Sequence, residues 1–250
     1  MPRYRYQVYP DTDALAEAAA RDFVAAAGAA IREHGVFFVA LAGGSTPRAL
    51  YALLAAPPYR EQVDWARVQV FFGDERCVGP EDAQSNFRMA RETLLAHVPV
   101  PAEQIHRMQG EAADVREAAR RYAAELAILP ATAAGWPRFD LVLLGMGEDG
   151  HTASLFPGTA ILEERSVPVA AVYVDKLAAW RISLTLPVLD AAARVRVLVS
   201  GAGKRGVVGE IMGADGPLEK YPVSWLTPRA GVIWHLDAAA AAALAHDGQH

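Results

Sequence analysis

Four short apolar runs, each running into glycine, constrain this chain more than anything else in it: "VFFVALAGG", "VQVFFGDE", "FDLVLLGMG" and "VRVLVSGAGK". A strand with one wet face alternates apolar and polar residues. A strand with no alternation must be covered on both faces, as in a parallel sheet. Helix-length segments lie between these runs. "TDALAEAAARDFVAAAGAAIREHG" carries Thr12 or Asp13 as a cap and Gly35 as a stop. "TPRALYALLAAPPY" has Pro47 in its first turn and ends at Pro57 and Pro58. "DAQSNFRMARETLLAHV", "EAADVREAARRYAAELAIL" and a segment from Arg205 to Met212 read as helices too, as does the alanine-rich C-terminal stretch. "YQVYP", "SVPVAAVYV", "WRISLTLPVL" and "AGVIWHLD" read as further strands. Strands alternating with helices imply βαβ units. The expected fold is therefore α/β: a three-layer, doubly wound, mostly parallel sheet with helices on both faces, Rossmann-like. No repeat or linker divides it, so residues 1–250 are expected to form one domain.

The net charge of −5 argues against a nucleic-acid partner, which needs a basic footprint. An anionic ligand would need a local cationic pocket in this acidic chain. The single cysteine, Cys77, allows no internal disulfide and no cysteine cluster for zinc. No apolar run approaches the roughly 20 residues of a membrane helix, and "MPRYRYQVYP" lacks the apolar core of a signal peptide. The expectation is a cytoplasmic protein with no membrane partner.

In open α/β sheets, ligands bind beyond the carboxyl ends of the strands. The chemistry-bearing residues of this chain cluster at just those ends. In "AGGSTP", Gly43 and Gly44 let backbone N–H groups turn toward a ligand, Ser45 and Thr46 add hydroxyls, and a helix follows. Such a turn can hold a phosphate, and it can equally be a plain turn with a Ser/Thr cap. It matches neither the P-loop nor the dinucleotide fingerprint. In "SGAGK", Lys204 offers a point charge to a phosphate, or is a solvated lysine at a helix start. In "GDERC", Arg76 presents a planar fork, with Asp74 and Glu75 beside it as rival partners.

"GMGEDGHTASLFP" places Glu148, Asp149 and His151 among glycines directly after a buried strand. The spacing is not that of a helical metal motif, and no neighbouring ligands complete a metal site. No serine elbow is present. Acid–base chemistry explains more: a histidine can take a proton from water while an adjacent carboxylate fixes its tautomer.

Taken together, these motifs resemble the 6-phosphogluconolactonase family, which shares a larger fold group with glucosamine-6-phosphate deaminase. "LAGGSTPRALY", "FFGDERCV", "SNFRMARETLL", "FDLVLLGMGEDGHTASLFP", "RISLTLPVL", "LVSGAGK" and "YPVSWLTP" occur in order along most of the chain. "GEDGH" is common to both families, and "TASLFP" follows it in the lactonases. The resemblance implies hydrolysis of 6-phospho-D-glucono-1,5-lactone in the oxidative pentose phosphate pathway, without metal or organic cofactor, by a monomer or weak homo-oligomer. It implies His151 as general base and Asp149 as its partner. It implies Gly43, Gly44 and Ser45 as a phosphate cradle, charged by Arg76 and Lys204, with Asp74, Asn86 and Arg181 near the pocket. The chain departs from the family at "DKLAAWR", where a proline-rich stretch after a lysine is usual before Arg181, and at Gly203, where an acidic or other side chain is usual before the lysine. An amino-sugar-phosphate isomerase or deaminase, with Asp74 as the base, is the rival enzyme. A sugar-phosphate-binding regulator is the rival of another class, and retention of His151 and Asp149 weighs against it.

Overall fold

The structure is a computed structural model that describes residues 4–213, 218–229 and 231–244. Its main sheet is six-stranded and wholly parallel. The strands are β1 (Arg5–Tyr9), β2 (Phe37–Leu41), β3 (Val68–Phe72), β5 (Leu141–Gly145), β8 (Val195–Val199) and β9 (Val232–Asp237), in the order β1-β9-β8-β5-β2-β3. The apolar runs behave as two-faced strands. Phe37, Val39 and Leu41 of β2 join one buried cluster with Leu15, Phe23 and Leu50, while Phe38 and Ala40 join another with Tyr122 and Leu189. Alternate side chains of a strand point to opposite faces, so neither face of β2 meets water.

Helices α1 (Thr12–His34) and α2 (Ser45–Leu54) cover the first face. Helices α4 (Val115–Glu125), α5 (Leu186–Ala191) and α6 (Arg205–Met212) contribute to the second cluster. Helix α1 is capped not by Thr12 or Asp13 but by Asp11, whose carboxylate accepts from Ala14 N at 2.8 Å. It ends at Gly35 in the left-handed region, φ 86°, as a glycine cap allows.

Three differences from the sequence reading concern the site. The stretch "VQVFFGDE" is two strands. At Gly73 the chain leaves β3 and enters β4 (Asp74–Arg76), which pairs antiparallel with β7 (Ala179–Leu184), itself paired with β6 (Val169–Val174). This second, three-stranded sheet takes "VPVAAVYV" and "WRISL" out of the parallel sheet. Gly73 makes the step: its N–H donates to Leu41 O at 2.8 Å, and its carbonyl accepts from Leu184 N at 2.9 Å. The end of "WRISLTLPVL" is helix α5, with Pro187 in its first turn. The expected helix over "DAQSNFRMARETLLAHV" starts only at α3 (Asn86–Ala90), capped by Ser85, and continues as a π-turn over Arg91–Leu95. The alanine-rich stretch after β9 forms turns as far as Leu244, and its remainder lies outside the described residues.

Two buried tyrosines pin the strand ends at the site. The Tyr51 hydroxyl accepts from Ala42 N at 2.9 Å and donates to Ala42 O at 2.8 Å, just past β2. Tyr122 does the same for Phe72, the last residue of β3, at 2.8 and 3.1 Å. Burial pushes both phenols well above their ordinary range.

Candidate active site

Strand β2 lies between β3 and β5, so the strand order reverses across the β2/β5 boundary. Crevices form at the carboxyl ends of strands where the order reverses. A cavity of about 370 Å³ opens there. Gly43, Gly44 and Ser45 line it from the end of β2, Asp74 and Arg76 from β4, and Asn86 from the start of α3. His151 lines it from the loop after β5, Arg181 from β7 and Lys204 from the loop after β8. Of the site residues expected from sequence, only Asp149 is not in the lining; it sits behind His151.

The loop after β5 is shaped by that histidine. Asp149 Oδ1 meets His151 Nδ1 at 2.5 Å and accepts from the His151 N–H at 3.2 Å. The imidazole stacks on Phe156, with ring centroids 4.0 Å apart. Nδ1 thus faces the carboxylate, and Nε2 has no hydrogen-bond partner among the described residues, so the neutral ring with its proton on Nδ1 would present Nε2 as an acceptor. A Cβ on Gly147 would lie 2.0 Å from Nδ1, so glycine is what admits the ring. Gly150 has φ 73°, a left-handed turn that returns the chain toward the cavity. The other oxygen of Asp149, Oδ2, accepts from Lys176 Nζ. Burial raises the Asp149 carboxyl, but the bonds from Lys176 and His151 outweigh it and hold its pKa at about 2.

The floor near β4 is braced differently. Glu75 is 3% exposed and does not line the cavity. It accepts from the N–H groups of Arg76, Asn86 and Phe87 at 2.8, 2.7 and 2.8 Å, and from Ser85 Oγ at 3.0 Å. Burial pushes its carboxyl up, with the backbone donors opposing. Glu75 therefore ties α3 to β4 and leaves its neighbour Asp74 facing the cavity. Asp74 accepts from Ser154 Oγ at 2.6 Å and from Asn86 Nδ2 at 3.2 Å. Asn86 fills the space over Gly43, where a Cβ would stand 1.8 Å from its Oδ1.

The cations are left free. Among the described residues Arg76, Arg181 and Lys204 make no ion pair. The rival reading of Arg76 as a partner of Asp74 or Glu75 fails: its Nη1 donates to Gln84 O at 2.5 Å. Arg76 and Arg181 face each other across the β4–β7 ladder. Burial and the Arg76 charge hold Arg181 below the usual guanidinium range. The N-cap of α2 is Gly44, with φ 102° and no side-chain cap bond, which sets aside Ser45 and Thr46 as caps. Thr46 Oγ1 instead pairs with Ser200 Oγ at 2.7 Å, joining the loops after β2 and β8. An uncapped helix N-terminus beside three cations without ion pairs is an arrangement that can hold an anion. Two residues of the site were not picked out from sequence, Lys176 and Ser154. Only the fold brings them to Asp149 and Asp74. Gly203 is accounted for by Glu148, whose Oε1 lies 2.5 Å from where a Cβ would be.

Fold and site together describe a doubly wound α/β protein with a histidine–carboxylate pair beside a cation-lined cavity at the switch point of its sheet. Residues 10–234 match the family described as glucosamine-6-phosphate isomerases/6-phosphogluconolactonase. The 6-phosphogluconolactonase of Synechocystis is 41% identical over 211 residues, 83% of this chain and 85% of that protein. That of Mycobacterium tuberculosis is 38% identical over 243 residues, 95% of this chain and 97% of its own. The solved structure of the Trypanosoma brucei 6-phosphogluconolactonase superposes with a TM-score of 0.84 at 32% identity, covering 98% of this chain and all of that one. The chain belongs to the glucosamine-6-phosphate isomerase/6-phosphogluconolactonase family.

Proposed function

We propose that this chain hydrolyses 6-phospho-D-glucono-1,5-lactone to 6-phospho-D-gluconate, with His151 as the general base and no metal. One observation carries the reading: a histidine fixed by a carboxylate, with a free Nε2, on the wall of a cavity that also holds three unpaired cations. The phosphate sits at the N-terminus of α2 near Gly43, Gly44 and Ser45, neutralised by Lys204 and the Arg76–Arg181 pair. Nε2 takes a proton from water as its oxygen adds to the lactone carbonyl. The tetrahedral intermediate collapses, the ring C–O bond breaks, and the imidazolium returns the proton to the leaving ring oxygen. A lactone is an activated ester, so no covalent intermediate is needed. A positioned base contributes about 10²–10⁴-fold, and the bound phosphate adds orientation.

Among the described residues, no group of three or more His, Cys, Asp or Glu side chains could hold a metal ion. Among the same residues no helix is long and apolar enough to cross a membrane. We also infer a single-domain cytoplasmic enzyme, monomeric or weakly self-associating, with no nucleic-acid partner.

The test is hydrolysis of freshly generated lactone above its spontaneous rate, for wild type and His151→Ala side by side. Fast hydrolysis lost in the variant supports the reading. Full activity in the variant removes His151 as base. Ammonia release from glucosamine 6-phosphate, with no lactonase activity, would replace the reaction with that of the amino-sugar branch.

A further inference from the structure

We propose that Lys176 is a positioning residue of this site: acting through Asp149, it keeps His151 neutral and turned with Nε2 free to accept a proton. The inference rests on the reading of His151 as the base.

Lys176 stands at the tip of the β6–β7 hairpin, which closes over one wall of the cavity. The hairpin turn runs through Asp175–Leu177 to Ala178, a residue with a side chain held at φ 46°. That conformation is unfavourable for L-residues other than glycine. The turn thus adopts a strained shape that puts Lys176 over the loop after β5. Its ammonium chooses one of two carboxylates there. It bonds to Asp149, while the adjacent Glu148 is exposed and makes no ion pair among the described residues. The two oxygens of Asp149 are divided, Oδ1 to the imidazole and Oδ2 to the lysine, so the lysine fixes the rotation of the carboxylate that orients the ring. Nζ also lies 6.0 Å from the centre of the Phe156 ring on which His151 stacks.

A carboxylate alone would favour the imidazolium. A second cation on its far oxygen opposes that charge and keeps the ring a base. The other charged groups around the ring are Asp74, Arg76 and Arg181 from the second sheet, Lys204 from the loop after β8, and Glu148 beside Asp149. Tyr221, bonded to Glu210, packs behind Gly150. None of these forms an ion pair or hydrogen bond with His151; Asp149 does, and Lys176 is the cation attached to it.

The experiment is an NMR titration of the His151 imidazole in the full chain, paired with pH profiles of lactone hydrolysis, for wild type, Lys176→Met and Lys176→Arg. His151→Gln assigns the resonance among the seven histidines. In Lys176→Met the titration midpoint should rise by about half to one pH unit, and the acid limb of kcat/KM should move with it. One pH unit below the wild-type limb the rate should then fall about 3- to 10-fold, with the alkaline plateau nearly kept. Lys176→Arg should restore both. An unmoved midpoint overturns the proposal. So does a loss uniform across pH, which marks a structural role, or a raised KM with the limb in place, which makes Lys176 a substrate ligand. Absence of lactone hydrolysis in wild type would instead sink the reading of His151 as the base of that reaction, and the titration alone would then decide whether Lys176 governs the ring.

Discussion

Two loops face each other across the cavity, and each hides a carboxylate behind it. On the β5 side Asp149 is half-buried and held by one ion and one imidazole, Lys176 on one oxygen and His151 on the other. On the β4 side Glu75 is buried and held by three backbone N–H groups and one hydroxyl. The two acids are displaced in opposite directions, Asp149 down to about 2 and Glu75 up. Neutral donors in a buried site give shape that is indifferent to the charge state of neighbours. An ionic chain gives a site whose proton affinity can be set. Under the proposed mechanism the loop that exchanges a proton carries an ion pair, and the loop that holds a frame is built from amides.

The largest break in that comparison is chemical. Under the proposed mechanism His151→Ala lowers kcat by about 10²–10⁴-fold, with a smaller fall in melting temperature as the partly exposed ring gives up its stack on Phe156 and its bond to Asp149. Steady-state kinetics beside calorimetry checks both halves; a variant that keeps its kcat contradicts the first. Glu75→Ala should do the reverse to stability. It leaves four donors without their acceptor, at roughly 1–3 kcal/mol for each that water cannot reach. A total near 3 kcal/mol and a fall of about 6–12 °C in melting temperature are expected. A loss below about 1 kcal/mol in urea unfolding would mean that solvent replaces the brace.

How far the sequence foresaw these loops follows from what each depends on. The apolar runs "VFFVAL", "FDLVLL" and "VRVLV" are legible as strands because burial on both faces leaves no other composition. The glycines and His151 are legible because the chemistry lies within one turn. Gly73 is not legible: nothing local says that "VQVFFGDE" changes sheets there, since the change is made by pairing with β7, over a hundred residues on. The hairpin of Lys176 fails for the same reason. Its ammonium meets Asp149 across 27 residues, and "DKLAAWR" carries no periodicity that would bring them together. From sequence Glu75 reads as a rival partner of Arg76; its role as a brace depends on where α3 begins, which Ser85 sets and the longer apolar pattern obscures.

A smaller effect separates the two acids by pH. The folded Asp149 titrates near 2, below the ordinary 3.8. Between those values the unfolded chain binds more protons, so stability rises with pH there. The contribution is complete above about pH 4 and lost as pH falls toward 2. The displacement corresponds to at most roughly 2 kcal/mol, and solvent screening of this half-buried carboxylate brings it lower. Urea unfolding of wild type and Asp149→Asn should therefore differ most above pH 4 and converge near pH 2. Glu75 has the other sign: its folded carboxyl titrates above the unfolded one, so its contribution is greatest at low pH and declines as pH rises through the raised value. Glu75→Gln should change the slope above pH 4.5 and leave the region near pH 3 alone. Parallel curves for the two variants would erase the distinction between the loops.

The smallest expected effect is the response to salt. The Lys176 side chain is 60% exposed, and exposed ion pairs contribute about 0.2–1 kcal/mol at low ionic strength. The Debye length shrinks from about 10 Å at 0.1 M to 3 Å at 1 M salt. The stability gap between wild type and Lys176→Met should close to within a few tenths of a kcal/mol in 1 M NaCl, because screening removes what the mutation removes. The gap for Glu75→Ala should stay as it was, since its donors are neutral and out of reach of salt. The bond between Asp149 and His151 is better shielded, the His151 side chain being 28% exposed, so the ring should remain oriented while its proton affinity moves. High salt would then act on the base as the lysine mutation does and shift the acid limb of hydrolysis upward, without unfolding either loop.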